Sequence, residues 1–195
     1  NAMSDLANTA IGGKQGEAGP ALLTQNAWPH RHRLRDGSEI LIRPLAPGDA
    51  ALEREFLEHL SPQSRAFRFL GEVQICDRMI DSLMAVDQTR DAALIAVAAD
   101  SDGTPRAIGF ARFGTEGASG RGECAVVVRD AWQRKGVGTL LVNQLVDIAR
   151  ARGLQQLYSI DVADNAGMKA LARRLGFERA MYPEYPGEVV HTLTL

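Results

Sequence analysis

The run of residues with the clearest chemical content is Trp132-Gln133-Arg134-Lys135-Gly136-Val137-Gly138-Thr139-Leu140-Leu141. A basic pair precedes two glycines spaced two apart, and a helical apolar pattern follows. A glycine-rich turn that opens a helix exposes backbone N–H groups, and the helix dipole adds about half a positive charge there. That chemistry suits a phosphate-bearing ligand. Gly136 and Gly138 would let the main chain approach it closely, since no Cβ intervenes. Arg134 and Lys135 either add charge near the phosphates or form a solvated surface pair. The second group with chemical content is Glu123, the one acid on the apolar run Glu123-Cys124-Ala125-Val126-Val127-Val128. Burial on such a strand raises a carboxyl pKa toward the range useful to a general base. The alternative is a strand-edge glutamate turned to solvent beside Arg121. Glu116, in the preceding loop, is a reserve base. Strand alternation sends Cys124 to the face opposite Glu123. A buried thiol with no basic partner is inert, so Cys124 reads as core.

Two common phosphate motifs fit poorly. A P-loop places its lysine after the glycines, Gly-x-x-x-x-Gly-Lys, whereas Lys135 comes before them. A dinucleotide fingerprint has support in a strand, Gly136-x-Gly138, a helix, a second strand and the acid Asp161. Its third glycine position is Leu141, however, and Arg129 to Lys135 separate the strand from the first glycine.

The elements that must position these groups follow from periodicity. Ser38 to Leu45 alternates as a strand ending at Pro44. Asp49 is placed to N-cap a helix with Leu52, Phe56 and Leu60 on one face. Ser61-Pro62 starts a second helix, with Ser as cap and Pro at the first helical position. Met79, Ile80, Leu83 and Met84 predict a third over about 77–86. Ala92 to Ala99 and Ala107 to Phe113 are strands joined by Asp100-Ser101-Asp102-Gly103, a turn signal. The Glu123–Val128 run is apolar on both faces, as in a central strand. The helix after the glycine turn is amphipathic and ends at Arg152-Gly153. Leu157 to Val162 is a strand. Asp164-Asn165 caps a helix closed by Gly176, and the chain ends in extended segments from Phe177 and over Val189 to Leu195. The resulting order is β-α-α(-α)-β-β-β-loop-α-β-α-β-β, a mixed sheet with helices on its faces.

Gln133-Arg134-Lys135-Gly136-Val137-Gly138 resembles the acyl-CoA signature Gln/Arg-x-x-Gly-x-Gly/Ala of the GNAT superfamily of N-acetyltransferases. The preceding strand, the following helix, the next strand and the stretch from Asn165 to Phe177 occur in that family's order. The resemblance covers roughly Leu34 to Leu195. Within the superfamily the chain is most similar to the catalytic domain of bacterial protein lysine acetyltransferases, through Arg35-Asp36-Gly37, Ile42-Arg43-Pro44, Leu60 to Arg65, Arg68-Phe69-Leu70-Gly71 and Gly122 to Val128. The resemblance implies a mixed, mainly antiparallel sheet flanked by helices. It implies acetyl-CoA as donor and a primary amine as acceptor, by analogy a protein lysine. It assigns the cofactor to Val126, Val127 and Val128, to the loop Gln133, Arg134, Lys135, Gly136, Val137, Gly138 and Thr139, and to Asn165. In the family the strand before the loop splays from the next one, so the main chain of Val126 and Val128 would meet the pantetheine amides. Asn165 would contact the pantetheine arm, cap its helix, or do both. Glu123 falls where the resembled enzymes carry their proposed glutamate base. A base is required because a lysine amine, with a pKa near 10.4, is mostly protonated at pH 7. With Cys124 inert, direct attack in a ternary complex is expected. Many members carry a tyrosine in the last helix to protonate the departing thiolate; here that position is Ala172. A small-molecule amine acceptor, a non-catalytic acyl-CoA sensor and a partner-binding domain are the competing readings.

Length and composition bound the rest. The 195 residues allow one full core. We expect a mobile tail over 1–30, with Asn1-Ala2-Met3 a vector-derived remnant, and a single catalytic domain over 31–195. The net charge of −2 gives no reason to expect nucleic acid, whose footprint would be a basic surface. The longest apolar run, Ala92 to Ala99, is far below the roughly 20 residues a membrane helix needs. Neither the two cysteines nor the four histidines have metal spacing, so no metal is expected. A reducing, cytoplasmic setting is expected, with homodimer formation left open.

Overall fold

The computed structural model describes residues 28–195. The expectation of a tail therefore lies almost wholly outside the described residues. Eight strands form one sheet: β1 (His30–Arg33), β2 (Glu39–Pro44), β3 (Ala92–Ala99), β4 (Pro105–Thr115), β5 (Arg121–Val128), β6 (Gln156–Val162), β7 (Glu178–Met181) and β8 (Glu188–Thr194). Their order across the sheet is β1-β2-β3-β4-β5-β6-β8-β7. Five α-helices join them: α1 (Ala50–Glu58), α2 (Pro62–Phe69), α3 (Asp77–Met84), α4 (Val137–Ala151) and α5 (Ala166–Arg174). This is the mixed, mainly antiparallel sheet flanked by helices that the sequence predicts. Among the described residues no helix is long and apolar enough to cross a membrane.

Every pairing is antiparallel except β5 with β6, where α4 carries the chain back across the sheet. That parallel contact is short. It comprises Arg121 with Gln156, Gly122 with Leu157, and Glu123 with Tyr158, and ends there. Beyond it β5 remains paired with β4 as far as Val128, while β6 remains paired with β8 as far as Val162. The two strands part after Glu123.

Two apolar cores sandwich the sheet. On one face α4 and α5 bury Leu141, Leu145 and Ala172 over Cys124 and Leu157. On the other, α1 to α3 bury Phe56, Leu57, Leu60 and Ile80 over Ile95, Phe110 and Val127. β3 is buried along its length apart from Ala99, which explains why its sequence shows no alternation.

Two local expectations need correction. β1 is an additional strand at the sheet edge. Its His-Arg-His-Arg sequence alternates in exposure but carries no apolar signal, so periodicity missed it. Its neighbour Trp28 stacks on His30 at 4.3 Å. Asp49 occupies the N-cap position of α1, but its side chain does not cap that helix. Its carboxylate instead accepts from Ala46 N at 2.8 Å and from both terminal nitrogens of Arg43 at 2.6 and 2.7 Å. A guanidinium offers two charged donors, which outcompete one backbone N–H. Ser61 does act as predicted, accepting from Ser64 N at 3.1 Å.

Candidate active site

Because β5 and β6 are parallel, the helices that follow them begin at the same end of the sheet. The N-terminal turns of α4 and α5 thus flank the gap where the strands part. Trp132 N donates to Arg129 O, Gln133 N to Asp130 O, and Leu140 N to Gly136 O. Between them, the N–H groups of Arg134 through Thr139 meet no protein acceptor among the described residues. Two residues of this turn have left-handed backbone, Arg134 with φ 59° and Gly136 with φ 99°. Left-handed residues alternating with ordinary ones turn successive N–H groups to one side and make a concave anion site. A cluster of unspent donors at a helix N-terminus fits a diphosphate.

The two glycines serve different ends. Gly136 is demanded by its positive φ. Gly138 is not: a Cβ there would lie 3.5 Å from Leu171 Cδ2 and 3.6 Å from Val128 Cγ2, ordinary contacts. The protein itself has room for a side chain at 138, toward Leu171 and Val128.

The neighbours of the turn are more committed. Gln133 Nε2 donates to Val128 O and to Ser64 Oγ, both at 3.1 Å, so its side chain joins β5 to α2. Lys135 lies 3.0 Å from Asp36 and its ammonium sits 4.9 Å from the Trp132 ring centroid. Arg134 is exposed. Of the basic pair, Arg134 is thus the one without an intramolecular engagement among the described residues. Asp130 was not singled out by the sequence, yet it accepts from Ser61 N at 2.9 Å and from Ser61 Oγ and Ser64 Oγ at 2.7 Å each. It fastens the N-terminus of α2 to the turn.

The Gln133 contact also orients β5. Val128 O accepts from Gln133, while Arg129 N donates to Ile108 O. A residue's N–H and C=O leave a strand on the same side and alternate along it. The polar main chain of Val126 and Val128 therefore faces the gap toward β6. That of Val127 faces β4, and its side chain belongs to the core beneath α1 to α3.

Glu123 stands at the apex of the gap, in the last paired position. It is 9% exposed, and its Oε1 is buried with no hydrogen-bond partner among the described residues. Burial raises its pKa; Arg68 opposes the shift and Glu116 adds to it. A solvent-facing role is ruled out by this burial. On its face of the sheet, Ala125 and Val127 line a small cavity together with Glu53, Arg68 and Arg112. Glu53 pairs with Arg112 at 2.6 Å. Arg68 makes no hydrogen bond to a protein acceptor among the described residues, and its pKa is lowered to about 10 by burial and by Arg112, against the pull of Glu53 and Glu123. Glu116 is half exposed and accepts a short hydrogen bond from the hydroxyl of Tyr158, the cross-strand partner of Glu123. Arg121 covers the Tyr158 ring at 4.7 Å. Arg68 and Tyr158 are site residues the sequence did not identify: their roles depend on contacts between α2, β5 and β6 that no local pattern encodes.

Cys124 points the other way, as strand alternation predicts. Its thiol is pushed up to about 12 by burial, and secondarily by the charge of Glu123. It lines an apolar cleft between α4 and α5 with Val126, Leu145, Met168 and Ala172. Ala172 is 1% exposed, so no hydroxyl is presented from that position. Asn165 accepts from Met168 N through Oδ1 at 3.0 Å and so caps α5. Its Nδ2 donates toward both oxygens of Asp161, at 3.2 and 3.1 Å. Among the described residues there is no cluster of three or more metal-ligating side chains.

A parted strand pair, a donor-lined turn at the head of the intervening helix and a buried carboxylate at the apex define an acyl-CoA-dependent N-acetyltransferase. The chain belongs to the Acetyltransferase (GNAT) family, whose model matches residues 55–177. Acetyl-CoA is the acyl donor in this family. The chain is 39% identical over 163 residues to an acetyltransferase of Pseudomonas aeruginosa, covering 83% of this chain and 87% of that one. It is also 39% identical, over only 82 residues, to the L-methionine sulfoximine/L-methionine sulfone acetyltransferase of Pseudomonas aeruginosa, covering 40% of this chain and 48% of that one. Among solved structures, the GNAT domain of S. lividans PAT superposes with a TM-score of 0.76 at 24% identity, over 86% of this chain and 97% of that one.

Proposed function

We propose that the protein transfers the acetyl group of acetyl-CoA to a primary amine, with a protein lysine side chain as the favoured acceptor, by direct attack in a ternary complex. Gly136, Val137, Gly138 and Thr139, with Arg134 and Lys135, would hold the diphosphate. The main chain of Val126 and Val128 and the amide of Asn165 would meet the pantetheine arm, while Val127 and Gln133 shape the strand and turn around it. The observation that carries the reading is Glu123: a buried carboxylate with an unpartnered oxygen, at the point where β5 and β6 separate. Glu123 would take the proton of the ammonium group, the free amine would attack the thioester carbonyl, and the tetrahedral adduct would expel the thiolate along the gap as the nitrogen sheds its second proton to solvent. The sequence resemblance to the catalytic domain of bacterial protein lysine acetyltransferases supports a lysine acceptor.

The test is thiol release from acetyl-CoA across lysine peptides and small amines, with Glu123→Gln alongside. Loss of a general base lowers kcat by roughly 10²- to 10⁴-fold. The variant's residual rate should climb with pH toward 9, as free amine accumulates. Full turnover by the variant from pH 6 to 9 would remove Glu123 from the mechanism.

A second reading takes its support from Arg68. A guanidinium beside the base, without a protein acceptor, suits an amine that carries its own carboxylate. The partial likeness to an enzyme named for methionine sulfoximine and sulfone points the same way. Turnover of free amino acids but not of their amides, lost in Arg68→Met, would favour this reading over the lysine.

A further inference from the structure

Asp161 is a buried acid with no place in the site as described so far. It lies on β6, 5% exposed, on the face that α5 covers, and makes no ion pair among the described residues. Its hydrogen bonds come from Val162 N at 2.8 Å and from Asn165 Nδ2. A carboxylate withdrawn from water without a cation is costly. Capping of α5 does not call for it, because that needs only Asn165 Oδ1 on Met168 N.

What Asp161 does is settle which way the Asn165 amide points. A side-chain amide has two donors and one acceptor oxygen, and only the surrounding hydrogen bonds decide their placement. Here Oδ1 is taken by Met168 N, and one Nδ2 hydrogen is shared between the two Asp161 oxygens. The second Nδ2 hydrogen has no protein acceptor among the described residues. Asn165 is partly exposed, at the same end of the sheet as the donor-lined turn. The amide is thus left with one N–H donor to offer at this end of the sheet, where a carbonyl would satisfy it. The pantetheine arm carries two amide carbonyls.

We propose that Asp161 is a positioning residue for coenzyme A: it holds the Asn165 amide with one N–H turned toward a pantetheine carbonyl. The inference rests on the assignment of the pantetheine arm to the gap between β5 and β6. It gives a function to the acid that a dinucleotide reading would have put on a ribose.

The test compares two ligands by calorimetry: coenzyme A, and 3′-phospho-ADP, which keeps the diphosphate but lacks pantetheine. In Asp161→Ala the Kd for coenzyme A should rise roughly 5- to 10-fold, as expected for one hydrogen bond, while that for 3′-phospho-ADP stays at the wild-type value. Asn165→Ser, which keeps a capping oxygen but loses the amide, should show the same selective loss. The double variant should be no worse than Asn165→Ser alone, because the two side chains act through one contact. Equal weakening of both ligands in Asp161→Ala would assign Asp161 to folding and overturn the proposal. So would unchanged coenzyme A affinity, or losses that add in the double variant. If the wild-type protein bound neither ligand, the loop reading itself would have failed, an outcome distinct from these.

Discussion

At the residue scale the site turns on one carboxylate and the charges around it. Glu123 is raised first by burial, while Arg68 on α2 and Glu116 in the β4–β5 loop pull in opposite directions. As a base Glu123 acts ionised, so kcat/KM should rise with pH as it loses its proton. Removing a like charge eases ionisation, and removing an opposite charge hinders it. Glu116→Gln should therefore move the acidic limb of the kcat/KM profile to lower pH, and Arg68→Met should move it to higher pH. Profiles on one good amine substrate decide this. If both variants shift the same way, the limb does not report Glu123. Tyr158 fixes the geometry of this pair by donating to Glu116, so its hydroxyl is not free to serve the leaving thiolate. Glu123 was legible from sequence because it interrupts an apolar run. Arg68 was not, since on its helix it is one basic residue among several.

At the scale of elements the decisive feature is a strand pair that stops pairing. β5 and β6 share three register positions, then part, and the turn heading α4 closes the open end. Gly138 lies in the first turn of α4 and is partly exposed. Its replacement by alanine introduces only ordinary contacts with Leu171 and Val128 and adds a better helix former. Gly138→Ala should therefore melt at or above the wild-type temperature, yet bind coenzyme A at least several-fold more weakly, because the methyl group, set toward Val128 and Leu171, narrows the mouth of the gap that the cofactor would enter. Unchanged affinity would put the diphosphate elsewhere. Gly136→Ala is a poorer probe: the left-handed backbone at 136 would itself be strained. The cap of α5 shows how an element serves two purposes. Asn165 was readable as a helix start from its residue type. That its amide is also held by Asp161, four residues back on the preceding strand, was not readable from residue type.

At the scale of the molecule, burying acids for function weakens the fold at neutral pH. Asp161 is pushed from an ordinary 3.8 up to about 6 by burial, against the hydrogen bonds from Asn165 and Val162. Glu53 and Glu123 are raised in the same sense, again by burial first. Between pH 4 and 6 folded Asp161 keeps a proton that the unfolded chain has lost. Its contribution is therefore most favourable below pH 4 and falls away as pH rises through about 6. Asp161→Asn should gain stability over wild type on going from pH 4 to 7, by up to roughly 3 kcal/mol. Urea midpoints of the two proteins at several pH values measure it, and parallel curves would contradict it. From β2 onward the order of elements, the sheet's mixed character, the glycine turn and the candidate base were legible in the sequence alone, because periodicity, glycine spacing and a lone acid in an apolar strand are local signals. β1, the true partners of Asp49, the engagement of Lys135 and Gln133, and the pairing of Asp161 with Asn165 were decided only by the tertiary structure. Some of these join near neighbours in the chain, as Arg43 with Asp49 and Asp161 with Asn165, and others join distant segments, as Lys135 with Asp36; each depends on how the segments are turned in the packed molecule, which residue type and spacing do not encode.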